Sequence, residues 1–118
     1  MYKIMLIGED METALLTAKL IKRKGFEISV KANDSKMKDT KQDLLIFDCG
    51  LSPEQGFKKY QNIIESCHLS KIFWISSDFE DEVPALELGA DDWMKRPINI
   101  EVLVARIRRL LKDTRFTY

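Results

Sequence analysis

Four short apolar stretches of this chain end in residues that carry charge or a hydroxyl. Ile4-Met-Leu-Ile7 runs into Gly8, Glu9 and Asp10, and Leu44-Leu-Ile-Phe47 into Asp48, Cys49 and Gly50. Ile72-Phe-Trp-Ile75 is followed by Ser76 and Ser77, and Trp93-Met94 by Lys95, Arg96 and Pro97. If the stretches are neighbouring strands, two sets of carboxylates, a hydroxyl and a cation converge on one crevice. Acids gathered in this way repel unless a divalent cation or a base offsets them. The set therefore implies a hard metal ion with oxygen ligands. One polar residue after an apolar run is commonplace; four such ends in this order are not.

Other reactive side chains offer less. Cys49 and Cys67 lack metal-ligand spacing and are too few for a disulfide scaffold, so they read as reduced thiols of a cytoplasmic protein. Cys49 in particular reads as a small buried hydrophobe. His68, the only histidine, lies in a polar turn with no Ser, Cys or Asp arrangement around it.

The elements that must position the site follow from periodicity. Apolar runs alternate with longer stretches of helical period, the mark of βα units and a parallel sheet. Strands are expected at Lys3–Ile7, Glu27–Val30, Leu44–Phe47, Ile72–Ile75 and around Trp93–Met94. The first, third and fourth are almost wholly apolar, as strands covered on both faces should be. Met11, Ala14, Leu15, Ala18 and Ile21 recur at helical spacing, with Gly25 as a stop signal. Ser52-Pro-Glu-Gln55 reads as a capping box opening a helix whose inner face is Phe57, Tyr60, Ile63 and Ile64. A helix between residues 32 and 42 must be short or frayed. Pro84 restricts the next helix to about two turns from near Asp81. Asn99 caps the last, which buries Ile100, Leu103, Ile107, Leu110 and Leu111. In such a sheet the site lies outside the carboxyl ends of the strands.

The pattern resembles the receiver domains of two-component response regulators over essentially the whole chain. The stretches that carry the likeness are Lys3-Ile-Met-Leu-Ile-Gly-Glu-Asp10, Asp43-Leu-Leu-Ile-Phe-Asp48, Ile72-Phe-Trp-Ile-Ser76 and Leu86-Glu-Leu-Gly-Ala-Asp-Asp-Trp93. The last of these is the most specific. Val102-Leu-Val-Ala-Arg-Ile-Arg-Arg-Leu-Leu111 is similar to the final receiver helix of regulators with a winged-helix DNA-binding domain.

The resemblance implies a flavodoxin-like (βα)5 fold, a doubly wound parallel sheet of order 2-1-3-4-5. It implies that Asp48 accepts a phosphoryl group from a sensor histidine kinase, with Mg2+ held by Glu9, Asp48 and the Gly50 carbonyl. Ser76 takes the place of the switch hydroxyl and Trp93 that of the switch aromatic. Residues 1–112 would form the receiver and 113–118 the start of a linker to a C-terminal DNA-binding output domain. Such a domain signals and is not an enzyme.

Departures from the family sharpen the expectations. Counting back from Gly25, the family's acidic pair falls on Gly8 and Glu9, so one carboxylate is missing and Asp10 could only partly stand in. Magnesium binding should then be weak or absent. Arg96 replaces the lysine before proline, with Lys95 just ahead. A guanidinium can engage a carboxylate through two parallel hydrogen bonds, so Arg96 is expected to pair with Asp48 or Glu9. The alternative sends Arg96 to solvent and gives the charge to Lys95. Asp91, Asp92, Arg106 and Arg109 could pair reciprocally across a two-fold axis, giving a weak dimer or a monomer.

Composition bounds the rest. The 118 residues suit one domain, with 45% apolar and 32% charged residues. Lys plus Arg and Asp plus Glu each number 19, against the basic excess of a domain that grips nucleic acid by itself. Arg106, Arg108, Arg109 and Lys112 therefore read as a solvated or subunit-facing surface. No apolar run approaches the roughly 20 residues that span a bilayer, and the opening strand reads as core rather than signal peptide. Two rival readings remain. One is a degenerate receiver acting as a phosphorylation-independent interaction or dimerisation module. The other is a flavin or nucleotide binder, which the acidic Gly8-Glu-Asp-Met11 loop disfavours.

Overall fold

Each apolar run becomes a strand, and the helical stretches between them cover both faces of the resulting sheet. A computed structural model of the chain describes residues 2–32 and 41–112. In chain order the elements are β1 (Lys3–Gly8), α1 (Met11–Lys22), β2 (Glu27–Ala32), β3 (Leu44–Asp48), α2 (Pro53–Lys59), α3 (Gln61–Ser66), β4 (Lys71–Ser76), α4 (Glu82–Leu88), β5 (Asp92–Lys95) and α5 (Ile100–Lys112). The sheet order is β2-β1-β3-β4-β5, and every pairing is parallel. This is the doubly wound arrangement implied by the resemblance.

Alternation along the strands divides the core in two. Ile4, Leu6, Ile46, Phe73, Ile75 and Met94 pack under α1 and α5. Met5, Ile7, Leu45, Phe47, Trp74 and Trp93 pack on the other face with Tyr60, Cys67 and Ala85. Trp74 is wholly buried, with its ring stacked on Phe47 at 5.1 Å and on Phe57 at 5.0 Å between centroids. It reaches so far towards α2 that a Cβ on Gly56 would lie 2.3 Å from the indole.

Helix boundaries follow their caps. Ser52 Oγ accepts from the Gln55 N–H at 3.2 Å and Pro53 opens α2. The expected single helix after Ser52 is broken at Tyr60 into α2 and α3. Tyr60 is buried, while Phe57, Ile63 and Ile64 pack partly buried against the same cluster. A 3-10 turn at Phe79–Asp81 leads into α4, so Pro84 falls in the first turn, where no helical N–H is needed. Asn99 Oδ1 accepts from the Glu101 and Val102 amides at 3.0 and 3.1 Å, capping α5.

One face was read only in part. In α1 the sheet is met by Ala14, Thr17, Ala18 and Ile21, whereas Met11 and Leu15 are exposed. The short helix expected between residues 32 and 42 and the linker expected at 113–118 fall on 33–40 and 113–118, outside the described residues. Among the described residues, no helix is long and apolar enough to cross a membrane.

Candidate functional site

Parallel strands end at the same edge, so the four polar strand ends of the sequence share one rim. Asp48 closes β3, the central strand, directly opposite Gly8 of β1. Ser76 closes β4 opposite Lys95 of β5. Asp48 and Ser76 are each 5% exposed, and Asp48 is the one buried acid among the described residues.

Arg96 follows β5, and its backbone N–H donates to the Ser76 carbonyl at 2.8 Å, which fixes the residue at the rim. Its Nη2 donates to Asp48 Oδ1 in a salt bridge whose carboxylate is 2% exposed and whose guanidinium side is 34% exposed. Lys95 turns away, with Nζ donating to the Arg96 carbonyl at 3.1 Å and lying 5.9 Å from the centre of the Phe79 ring. Of the two adjacent cations, Arg96 holds the crevice. Burial raises the Asp48 carboxyl above its ordinary value, and the Arg96 hydrogen bond and charge oppose this without reversing it.

Ser76 has a second neighbour. Trp93 Nε1 donates to Ser76 Oγ at 2.8 Å, and both residues are buried. A hydroxyl that accepts from an indole still has its own proton to give. Beside it opens a crevice of about 280 Å³ lined by Gly50, Ser52, Ser76, Ser77, Asp78 and Arg96. Cys49, next to Asp48, is fully buried, and desolvation pushes its thiol up to about 11. It is a hydrophobe, not a nucleophile. His68 is exposed and lines a groove of about 590 Å³ that holds none of these residues.

The acids near β1 separate into different duties. The Glu9 carboxylate lies against Gly50, with Oε2 3.2 Å from where a Cβ on that residue would stand. Gly50 itself has φ +71, a conformation that favours glycine. Asp10 does not replace the missing acid, because it caps α1. Its Oδ1 accepts from the Glu12 amide at 3.2 Å and its Oδ2 from Thr13 Oγ1 at 2.6 Å. The Thr13 hydroxyl is the main reason that its carboxyl lies below the usual value.

Sequence reasoning missed why position 8 lacks a side chain. A Cβ on Gly8 would meet the Ala14 Cβ at 2.8 Å, so α1 packs directly onto the end of β1. A pair of small residues at this spacing was the available signal.

The charged face expected to pair between subunits also makes pairs within the chain. Asp92 binds Arg106 at 3.5 Å and Arg109 at 3.1 Å. Arg106 Nη1 also donates to the Trp93 carbonyl at 2.9 Å. Asp91 Oδ2 accepts from the Ile72 amide at 2.7 Å, tying the α4–β5 loop to the start of β4.

Known proteins place this geometry in a family. No protein-family model matches the chain. The transcriptional regulatory protein CpxR of Escherichia coli K12 is 32% identical over 99% of the chain, which corresponds to 52% of that protein. YvcP of Bacillus subtilis, an uncharacterized transcriptional regulatory protein, is 31% identical over 97% of the chain and 50% of its own length. The chain thus spans about half the length of these relatives. The non-phosphorylated receiver domain of HemR from Leptospira biflexa superposes with a TM-score of 0.77, covering 100% of both chains at 17% identity. HP1043, an orphan response regulator of H. pylori, superposes with a TM-score of 0.68 at 26% identity, over 93% of this chain and 96% of that one. The chain is a response-regulator receiver domain.

Receiver domains generally bind Mg2+ at the phosphorylation site, which in this receiver would draw on Glu9, Asp48 and the Gly50 carbonyl. The donors present do not fit the ion. Asp48 Oδ1 is taken by a guanidinium. Gly8 offers no side-chain oxygen, and Asp10 commits both of its oxygens to α1. Among the described residues, no cluster of three or more His, Cys, Asp or Glu side chains is arranged to hold a metal. Mg2+ demands near-octahedral oxygen geometry and sheds water reluctantly.

Proposed function

We propose that this receiver accepts a phosphoryl group on Asp48 from a sensor histidine kinase and relays the change to a DNA-binding output domain of a cytoplasmic transcriptional regulator. The observation that carries the reading is the position of Asp48. It is a buried carboxylate at the end of the central strand, paired with Arg96, and Ser76, which ends the neighbouring strand, keeps a hydroxyl proton to donate. Phosphorylation adds nearly two negative charges. In the crevice those charges would meet Arg96 and the Ser76 hydroxyl, and Trp93 would sense the movement of Ser76 through its N–H. Charge neutralisation and alignment are the whole of the chemistry, with Asp48 as the nucleophile. The transcriptional role rests on relatives about twice the length of this chain.

The test is labelling with acetyl phosphate, followed by peptide mapping. Label is expected on Asp48 and is lost in Asp48→Asn. Label on Glu9 or Asp10 would overturn the assignment. No label at all would leave the domain as an interaction module that works without phosphate.

A further inference from the structure

We propose that Arg96 takes the place of the divalent cation in this receiver, so that phosphoryl transfer to Asp48 proceeds without magnesium. The inference rests on reading Asp48 as the acceptor, and it departs from the family in what balances the charge there.

Three independent features point the same way. First, the guanidinium bonds Asp48 Oδ1, an oxygen that a metal would need. Second, the carboxylate missing at position 8 is excluded by packing. A side chain there needs α1 to retreat from Ala14, and α1 is anchored by its Asp10 cap. Third, Arg96 is held at the rim by its backbone bond to Ser76, while Lys95 is turned aside. The metal's donors are therefore depleted at the place where a permanent cation is installed.

A guanidinium can fill that role. It does not lose its proton, and it carries five N–H donors in a planar fork suited to phosphate oxygens. One N–H on Asp48 leaves others for an incoming phosphoryl group, and the side chain is exposed enough to swing towards it. In the transfer from acetyl phosphate, an Asp48 carboxylate oxygen forms the new bond to phosphorus. The bond from phosphorus to the bridging oxygen breaks, and acetate leaves with that electron pair. Arg96 bonds the phosphoryl oxygens throughout, and Ser76 donates its hydroxyl proton as a hydrogen bond. No proton or metal ion need enter or leave.

Two measurements on the 118-residue chain test this. In the first, magnesium chloride is titrated by calorimetry into the wild type and into Arg96→Gln, which removes the charge and keeps a polar side chain and the backbone bond to Ser76. If the guanidinium occupies the cation's place, the variant should bind magnesium roughly tenfold more tightly, the low end of what a group hydrogen-bonded to a metal ligand changes. Equal affinity would overturn the inference. In the second, labelling by acetyl phosphate is followed with magnesium and with EDTA. The wild type should label at the same rate in both, and Arg96→Gln should label only with magnesium. A wild type that needs magnesium would overturn the inference while leaving Asp48 as acceptor. If nothing labels under any condition, the acceptor reading fails, and the magnesium titration alone decides whether Arg96 stands in for the metal.

Discussion

At the scale of single residues the site is governed by competition between burial and pairing at Asp48. Burial lifts the carboxyl above its ordinary value, and Arg96 recovers only part of that cost. The native state therefore keeps this proton to higher pH than the unfolded chain does. Its contribution to stability falls as pH rises from the ordinary carboxylate range through the raised value, and the deficit persists above it. Asp48→Asn removes the ionisation and keeps an oxygen for Arg96, whose partly exposed guanidinium stays hydrated. The variant should melt at a higher temperature than the wild type at neutral pH. The gap should close as pH drops below the ordinary carboxylate range. Circular-dichroism melts across that range test this, and equal melting at neutral pH would mean that Arg96 fully cancels the burial cost. Such an outcome would make Asp48 and Arg96 a relaxed ion pair rather than a strained one.

At the scale of elements, close approach decides what hydrophobicity alone does not. Gly56 in α2 faces the Trp74 ring, and a methyl there would lie 2.3 Å from it. Gly56→Ala should gain about 1 kcal/mol in helix propensity but lose about 2–3 kcal/mol to overpacking against a ring stacked on two others. The net prediction is destabilisation, measured by urea unfolding and relieved when Trp74→Phe is added, since the two sites share one contact. The same physics explains what could be read from the sequence. The strands were legible because both faces are buried, and the caps at Ser52 and Asn99 because capping is local. The buried face of α1 was only partly so, since Ala14, Ala18 and Ile21 of the expected set are buried and Met11 and Leu15 are not. Its spacing admits a large stripe through Met11 and Leu15 and a small one through Ala14 and Ala18. The sheet chose the small one, which lets the helix touch Gly8. Composition ranks leucine above alanine; distance of approach reverses the order. The polar strand ends that share one rim were legible, whereas the duty of Asp10 depended on a turn geometry that spacing left open.

At the scale of the whole molecule, the question is whether the α4–β5–α5 side holds two copies together. Its charged residues already have partners within the chain, since Asp92 binds both Arg106 and Arg109. Asp91 is tied to β4. Exchanging an internal ion pair for an intersubunit one swaps like for like, and an exposed pair is worth about 0–1 kcal/mol in the first place. Association must recover about 4–15 kcal/mol of lost freedom, so reciprocal charges cannot supply a dimer here. What the face does offer is apolar surface, with Phe79, Val83 and Leu86 exposed on and before α4. That helix is only seven residues long, which limits how much a second copy could cover. The chain is therefore expected to sediment as a single species of 13.7 kDa at micromolar concentration. Raising the salt should leave that state unchanged, because no intersubunit ion pairs are there to be screened. A dimer that persists at micromolar concentration and tightens with salt would place the interface on Phe79, Val83 and Leu86. One that loosens with salt would mean that Asp92 gives up its internal partners after all.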